Sequence, residues 1–257
     1  MSASGPCASC RKACCANYTV SITGYDAWVI GKGLHLPLES FLVYFPVAEK
    51  NDRGFELEPK GVHYEIALDK VGQYRKGHPC VFWVDLANGG GRCGIYPYRP
   101  MVCQTYPAYH EQGTVVLRND VLCPEGAWNL TGMDLPVFRQ RLYRFRMEQD
   151  VYTYLVSGWN DCVERAGRTF AVGEFYTALM NVYEGINRWA TGVPPDVLND
   201  LIRRWGAMPP ALPNPLFADI AAPGDEVWRA SISDLRVQIR DAAPWFVESM
   251  ELAAAAV

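Results

Sequence analysis

An α+β fold is predicted by three features of this sequence. Apolar residues alternate with a period of two around residues 62–68, and a glycine-rich turn sits between two short apolar runs at residues 81–96, which marks strands. From about Asp134 onward the apolar residues recur at three and four positions, the period of helices. Eight of the nine cysteines fall in the first half, where long regular elements are few. The expected architecture is a small irregular cysteine-rich unit over residues 1–130, followed by a mostly helical region over residues 131–257 that packs on it.

The elements follow in order. After the first cysteines, Thr23 or Asp26 can cap a helical turn holding Trp28, Val29 and Ile30. Leu34, Leu36, Leu38, Phe41, Leu42, Tyr44 and Phe45 surround Pro37, a residue suited to a helix start. Val62, Tyr64, Ile66 and Leu68 alternate as a strand. Residues 81–86 and 92–96 flank Asn88-Gly89-Gly90-Gly91 and read as a hairpin, with Cys80 before one arm and Cys93 in the other. Pro100 can open a helical turn presenting Cys103, and residues 115–117 form a short strand.

In the second half Asp134 is a good N-cap with Pro136 just inside, followed by Phe138, Leu142, Phe145, Val151, Tyr152 and Leu155 on one stripe. Phe175, Leu179, Val182, Tyr183, Ile186 and Trp189 have the clearest helical spacing, ended by Gly192. Pro195 opens a helix bearing Val197, Leu201, Ile202 and Trp205. A proline-rich connection over residues 209–223 and a helix with Trp228, Ile232, Leu235 and Ile239 complete the reading. Trp189, Trp205 and Trp228 stand where helix core is expected.

Composition narrows the function classes. At 49% hydrophobic residues the chain can build a core without disulfides. No apolar run approaches the roughly 18–20 residues of a membrane span, and Met1 to Gly5 lack the basic and apolar regions of a secretory leader. The expectation is therefore a cytoplasmic protein without a membrane partner. A net charge of -4 argues against general nucleic-acid binding. Arg139, Arg141, Arg144 and Arg146 crowd one helix, but their angular spacing gives no continuous basic stripe, and ion pairs on a solvated face are expected.

The cysteines carry the chemistry. Cys7, Cys10, Cys14 and Cys15 form C-x2-C-x3-C-C, followed by Cys80, Cys93, Cys103 and Cys123. Core packing does not require so many sulfurs, and an odd cysteine total fits full disulfide pairing badly, so a bound metal or iron–sulfur cluster is the expected partner. Cys7 and Cys10 have the spacing of a metal knuckle. Adjacent side chains such as Cys14 and Cys15 tend to point apart, toward different metals or different edges of one cluster. Four thiolates around zinc or a cubane cluster leave a net charge of about -2, which Arg92, Arg99 and the amides around residues 89–94 can offset. Cys162 stands outside the series and reads as a buried structural cysteine. His78 and His110 lie close to cysteines and read as packing residues, with a place beside the centre as the alternative. The glycine cluster reads as a hairpin turn, because it does not open a helix as a nucleotide loop does. No H-E-x-x-H or nucleophile-elbow pattern is present.

The N-terminal C-x2-C-x3-C-C and the stretch Cys93-Gly-Ile95-Tyr96-Pro-Tyr-Arg99-Pro100-x-x-Cys103-x-x-Tyr106-Pro107 together resemble the YkgJ-like cysteine-cluster family of zinc- or iron-chelating domains. The second stretch is also similar to the cysteine-rich part of flagellin lysine N-methylases. The resemblance runs from about Cys7 to Cys123. It implies a centre bound by Cys7, Cys10, Cys14, Cys15, Cys80, Cys93, Cys103 and Cys123, with Arg99 beside Cys103, and it does not extend to methyl transfer. The cofactor is an iron–sulfur cluster or zinc. Cys123-Pro124, which echoes the end of ferredoxin ligand runs, and the vicinal pair favour iron–sulfur. The leading reading is a metal-binding protein of a maturation, redox or modification pathway, with a protein partner or protein substrate. The alternatives are an enzyme using the centre, either lysine N-methylase-like or redox, and a zinc-stabilised interaction module.

Overall fold

The structure is a computed structural model that describes residues 13–49, 51–72, 77–87, 90–111, 114–119, 121–123, 128 and 130–206. Cys7, Cys10, the proline-rich connection and the helix expected around Trp228 lie outside the described residues. Helices and short strands are both present, in the α+β combination expected. The described residues fall into two compact units, one drawn from 13–22, 29–43 and 66–142, the other from 23–28, 44–65 and 143–206.

In the first unit, helix α1 (Ala13–Asn17) is a single turn carrying Cys14 and Cys15. The later part of helix α2 (Gly24–Leu34) also belongs here. Pro37 opens a 3-10 turn, Leu38–Ser40, and not the helix its position suggested. The chain then enters strand β1 (Leu42–Pro46), which pairs with β2 (Tyr64–Leu68). A short apolar run can join either kind of element, and here a neighbouring strand is available to satisfy its amides.

The glycine-rich hairpin forms as expected. Strand β3 (Trp83–Asp85) pairs antiparallel with β4 (Gly91–Cys93), with Trp83 opposite Cys93. The indole of Trp83 lies over Gly91, where a Cβ would come within 2.2 Å of the ring, so this position tolerates no side chain. Tyr96–Tyr98 form a 3-10 turn, and the ring of Tyr98 lies 2.5 Å from where a Cβ on Gly33 of α2 would sit. That close approach holds the signature loop against α2. Helix α3 (Met101–Thr105) follows Pro100 and carries Cys103. A strand that the periodicity does not reveal, β5 (Ala108–Glu111), pairs antiparallel with β6 (Thr114–Leu117). Ala108, Val115 and Leu142 bury together beneath this hairpin, with Leu117, Leu130, Leu135 and Phe138 packed around them.

In the second unit, Thr23 and Asp26 cap α2 reciprocally. Thr23 Oγ1 accepts the Asp26 N–H at 3.4 Å, and Asp26 Oδ2 accepts from the Thr23 N–H and hydroxyl at 3.1 Å. A cap of this kind stabilises a helix by about 1 kcal/mol. Helix α4 (Leu135–Ala166) starts where Asp134 Oδ1 accepts the Val137 N–H at 3.2 Å, and helices α5 (Val172–Gly192) and α6 (Pro195–Gly206) match the sequence reading. Phe55 and Phe175 stack with centroids 4.0 Å apart, and Trp159 meets Phe175 edge-on at 5.2 Å. Such contacts add about 0.5–1.5 kcal/mol to the burial itself. Trp205 is fully buried with its indole N–H donated to Asp150 at 2.8 Å, while Trp189 is half-buried. Of the crowded arginines, Arg146 pairs with Asp150 at 3.9 Å as expected of a solvated face, whereas Arg144 lies 3.8 Å from Glu148, a carboxyl that is buried, so at that position the expectation of a solvated face does not hold. Arg144 also donates to the Tyr25 hydroxyl at 2.7 Å.

Candidate metal centre

Five thiols from four chain segments come into one neighbourhood of the first unit. The charges of Cys103 and Cys80 bear on Cys15, that of Cys93 bears on Cys80, and that of Cys14 bears on Cys93. Backbone bonds explain the convergence. The Cys80 N–H donates to the Cys15 carbonyl at 2.9 Å, tying α1 to the segment before the β3–β4 hairpin, and Gly94 N–H donates to Phe82 O at 2.7 Å, closing the hairpin that carries Cys93.

The sulfurs are prepared for anionic character to different degrees. Cys14 and Cys15 do not diverge as their adjacency suggested; their thiols share a hydrogen bond that pulls Cys14 down to about 7 and pushes Cys15 far up. Burial pushes Cys80 up to about 11, opposed by the Phe82 N–H. Burial likewise raises Cys93, opposed by the Ile95 N–H and then by the Arg99 guanidinium. At both cysteines the amide two residues ahead is aimed at the sulfur, an arrangement that favours a thiolate. A cation at this place would reverse the balance, since a coordinating thiol is deprotonated outright.

Arg99 follows the 3-10 turn with its guanidinium 4.1 Å from the Tyr96 ring centroid, and its charge bears on Cys93. Arg92 is exposed on β4. Cys123 is tied to the neighbourhood through Tyr106: the Tyr106 hydroxyl accepts the Leu122 N–H at 3.3 Å, bonds to the Tyr18 hydroxyl, and its ring meets Tyr18 edge-on at 5.9 Å. Tyr18 in turn donates its N–H to the Cys14 carbonyl at 3.0 Å. The Cys123 sulfur also accepts the Trp128 indole N–H at 3.3 Å.

Cys162 is buried in α4 and accepts from Arg165 at 3.3 Å, in the second unit. His78 bonds the Val71 carbonyl at 2.9 Å, and His63, which carried no signal in the sequence, is held by Glu56 at 2.8 Å. Sequence reasoning missed Lys70 and Tyr106. Tyr106 could have been found as the tyrosine of the signature, three residues after Cys103. Lys70 has a weaker signal, a lysine set between the apolar strand that ends at Leu68 and Val71.

Among the described residues, no three Cys, His, Asp or Glu side chains already stand as a coordination group. The thiols therefore form a neighbourhood and not a closed ligand sphere. Their chemistry fits a thiophilic metal: soft donors, amides aimed at two of the sulfurs, and cationic side chains nearby.

Residues 6–124 match the family model CxxCxxCC, described as a "putative zinc- or iron-chelating domain". The cysteine-bearing segment is thus similar to a class of metal-chelating cysteine-cluster domains, as its motifs suggested. No curated protein and no solved structure matches the chain. Among the described residues no helix is long and apolar enough to cross a membrane.

Proposed function

We propose that the cysteine-bearing unit binds zinc or iron through thiolates, and that the protein is a metal-centre protein of a maturation, redox or modification pathway. The observation that carries this reading is the convergence of Cys14, Cys15, Cys80, Cys93 and Cys103 from four segments onto one neighbourhood with amides aimed at sulfur. Cys123, which accepts from Trp128 and follows the Leu122 amide held by Tyr106, and the N-terminal Cys7 and Cys10 complete the donor set in this reading. Held by these thiolates, zinc would supply a structural anchor and an iron–sulfur cluster an electron-carrying centre. An iron–sulfur cluster is the favoured form, because a polynuclear centre lets adjacent sulfurs bind different metal atoms. The chain's own residues bury Cys80 and half-bury the unit's other described sulfurs, aim N–H groups at Cys80 and Cys93, and offset their charge. A thiolate centre of this kind suits a reducing compartment such as the cytoplasm.

Anaerobic purification followed by metal analysis and a visible spectrum tests the proposal. Iron with acid-labile sulfide and broad sulfur-to-iron absorption supports the cluster; stoichiometric zinc without colour supports the tetrathiolate. Protein that retains neither metal, and takes up neither when reconstituted under reducing conditions, refutes the reading.

A further inference from the structure

Lys70 is the one lysine whose side chain the fold draws into the sulfur neighbourhood among the described residues, and it is only 6% exposed. Its Nζ donates to the Ala16 carbonyl at 2.9 Å, one residue past Cys15 on α1. Its backbone lies opposite Cys80 in an antiparallel bridge, flanked by bonds from Val71 N–H to Pro79 O and from Val81 N–H to Asp69 O, both at 2.9 Å. The ammonium is therefore fixed at both ends between the segments that bring Cys15 and Cys80 together.

Burying an ammonium is costly unless anionic or strongly polar groups face it. Burial pulls the Lys70 ammonium below its ordinary range, opposed by the charge of Cys80 first and of Cys15 second. Asp69 accepts the Lys70 backbone N–H at 2.7 Å, and its charge also bears on Cys80. The buried ammonium gains little from neutral thiols and is stabilised once they are thiolates, which is the state a metal requires.

We propose that Lys70 is the resident counter-charge of the centre, a positioning residue whose ammonium allows Cys15 and Cys80 to act together as thiolates toward a bound metal. This rests on the proposed function. It assigns the burden of charge compensation at these two sulfurs to Lys70, as the field of Arg99 falls on Cys93. The ammonium is not itself a ligand; it acts through the sulfurs and through the hydrogen bond that holds α1.

The test uses the full chain loaded with zinc, with metal retention measured against a competing chelator for the unmodified protein and for Lys70→Gln, Lys70→Met and Lys70→Arg. Circular dichroism and thermal melting report folding of each. Glutamine keeps an N–H donor for the Ala16 carbonyl but removes the charge, whereas methionine removes both. Affinity should fall about tenfold or more in both neutral variants, a floor below the factor that a unit charge several ångströms from a thiolate is worth at an effective protein dielectric. Lys70→Arg should recover most of it.

Unchanged affinity in both neutral variants, or a loss in methionine that glutamine fully restores, overturns the counter-charge role and leaves the proposed function standing. An unmodified protein that takes up neither zinc nor iron overturns both. Should the neutral variants fail to fold, acetylation of the unmodified protein decides the matter by mass spectrometry. Lys70 should react more slowly with acetic anhydride when zinc is bound than when it is stripped, and equal rates overturn the inference.

Discussion

Replacing Glu148 by glutamine should remove a stability loss that the second unit suffers as pH rises. Glu148 lies inside α4 and is 5% exposed. Burial pushes its carboxyl from 4.5 up to about 7, with the Asp26 charge on α2 adding to the rise and Arg144, 3.8 Å away, opposing it. The hydroxyls of Tyr25 and of Tyr183 on α5 share this surrounding, and the Glu148 charge pushes both upward. The native state thus holds a proton on Glu148 that the unfolded chain releases. Because the native form binds more protons, stability is highest below the unfolded pKa and is lost as pH climbs through the folded one.

The full difference between 4.5 and about 7 corresponds to about 3 kcal/mol, of which roughly 2–3 kcal/mol falls between pH 5 and pH 8. For a chain of this size that is about 5–10 °C in melting temperature. The assay is thermal melting of the unmodified protein and Glu148→Gln at both pH values, with the second unit followed by near-ultraviolet signal from its tryptophans. Glutamine cannot ionise, so the gap between variant and unmodified protein should widen toward pH 8 in favour of the variant. A gap that is the same at both pH values refutes the buried-proton account.

Three further outcomes follow from the first unit and its sulfurs. Cys80→Ser or Cys103→Ser should lower bound metal by elemental analysis, while Cys162→Ser, in the second unit and paired with Arg165, should leave it unchanged. Tyr106→Phe removes the acceptor for the Leu122 N–H and should cost about 1 kcal/mol locally, seen as roughly fivefold faster amide exchange around Cys123. Arg99→Ala should weaken metal retention or shift a cluster's potential, whereas Arg139→Ala should do neither; equal behaviour of the two variants in chelator competition counts against the role given to Arg99.

Several elements were legible because their determinants are local. Asp134 caps α4 through the amide of Val137, three residues on, and the period of Phe175, Leu179, Val182 and Tyr183 is the buried face of α5. The β3–β4 hairpin was readable from its glycines, since Gly91 must admit the Trp83 ring. Strand β1 and strand β5 were not. Residues 41–45 suit a helix or a strand equally, and β5 becomes a strand only by pairing with β6. The pairing of a short run is decided by a neighbour that the run itself does not encode.

The same division holds for the centre. Residue types and spacing alone established that the first half is rich in soft donors, that Cys162 stands apart from the series, and that a cationic Arg99 accompanies the signature. Tertiary structure decided that Cys14 and Cys15 face each other, that Arg99 acts on Cys93, and that a buried Lys70 joins Cys15 and Cys80. Caps, turns and helical stripes act over three or four residues and leave a trace in the sequence. Fields between sulfurs and ammonium depend on distances between segments far apart in the chain, and those distances are set only when the segments between them have packed.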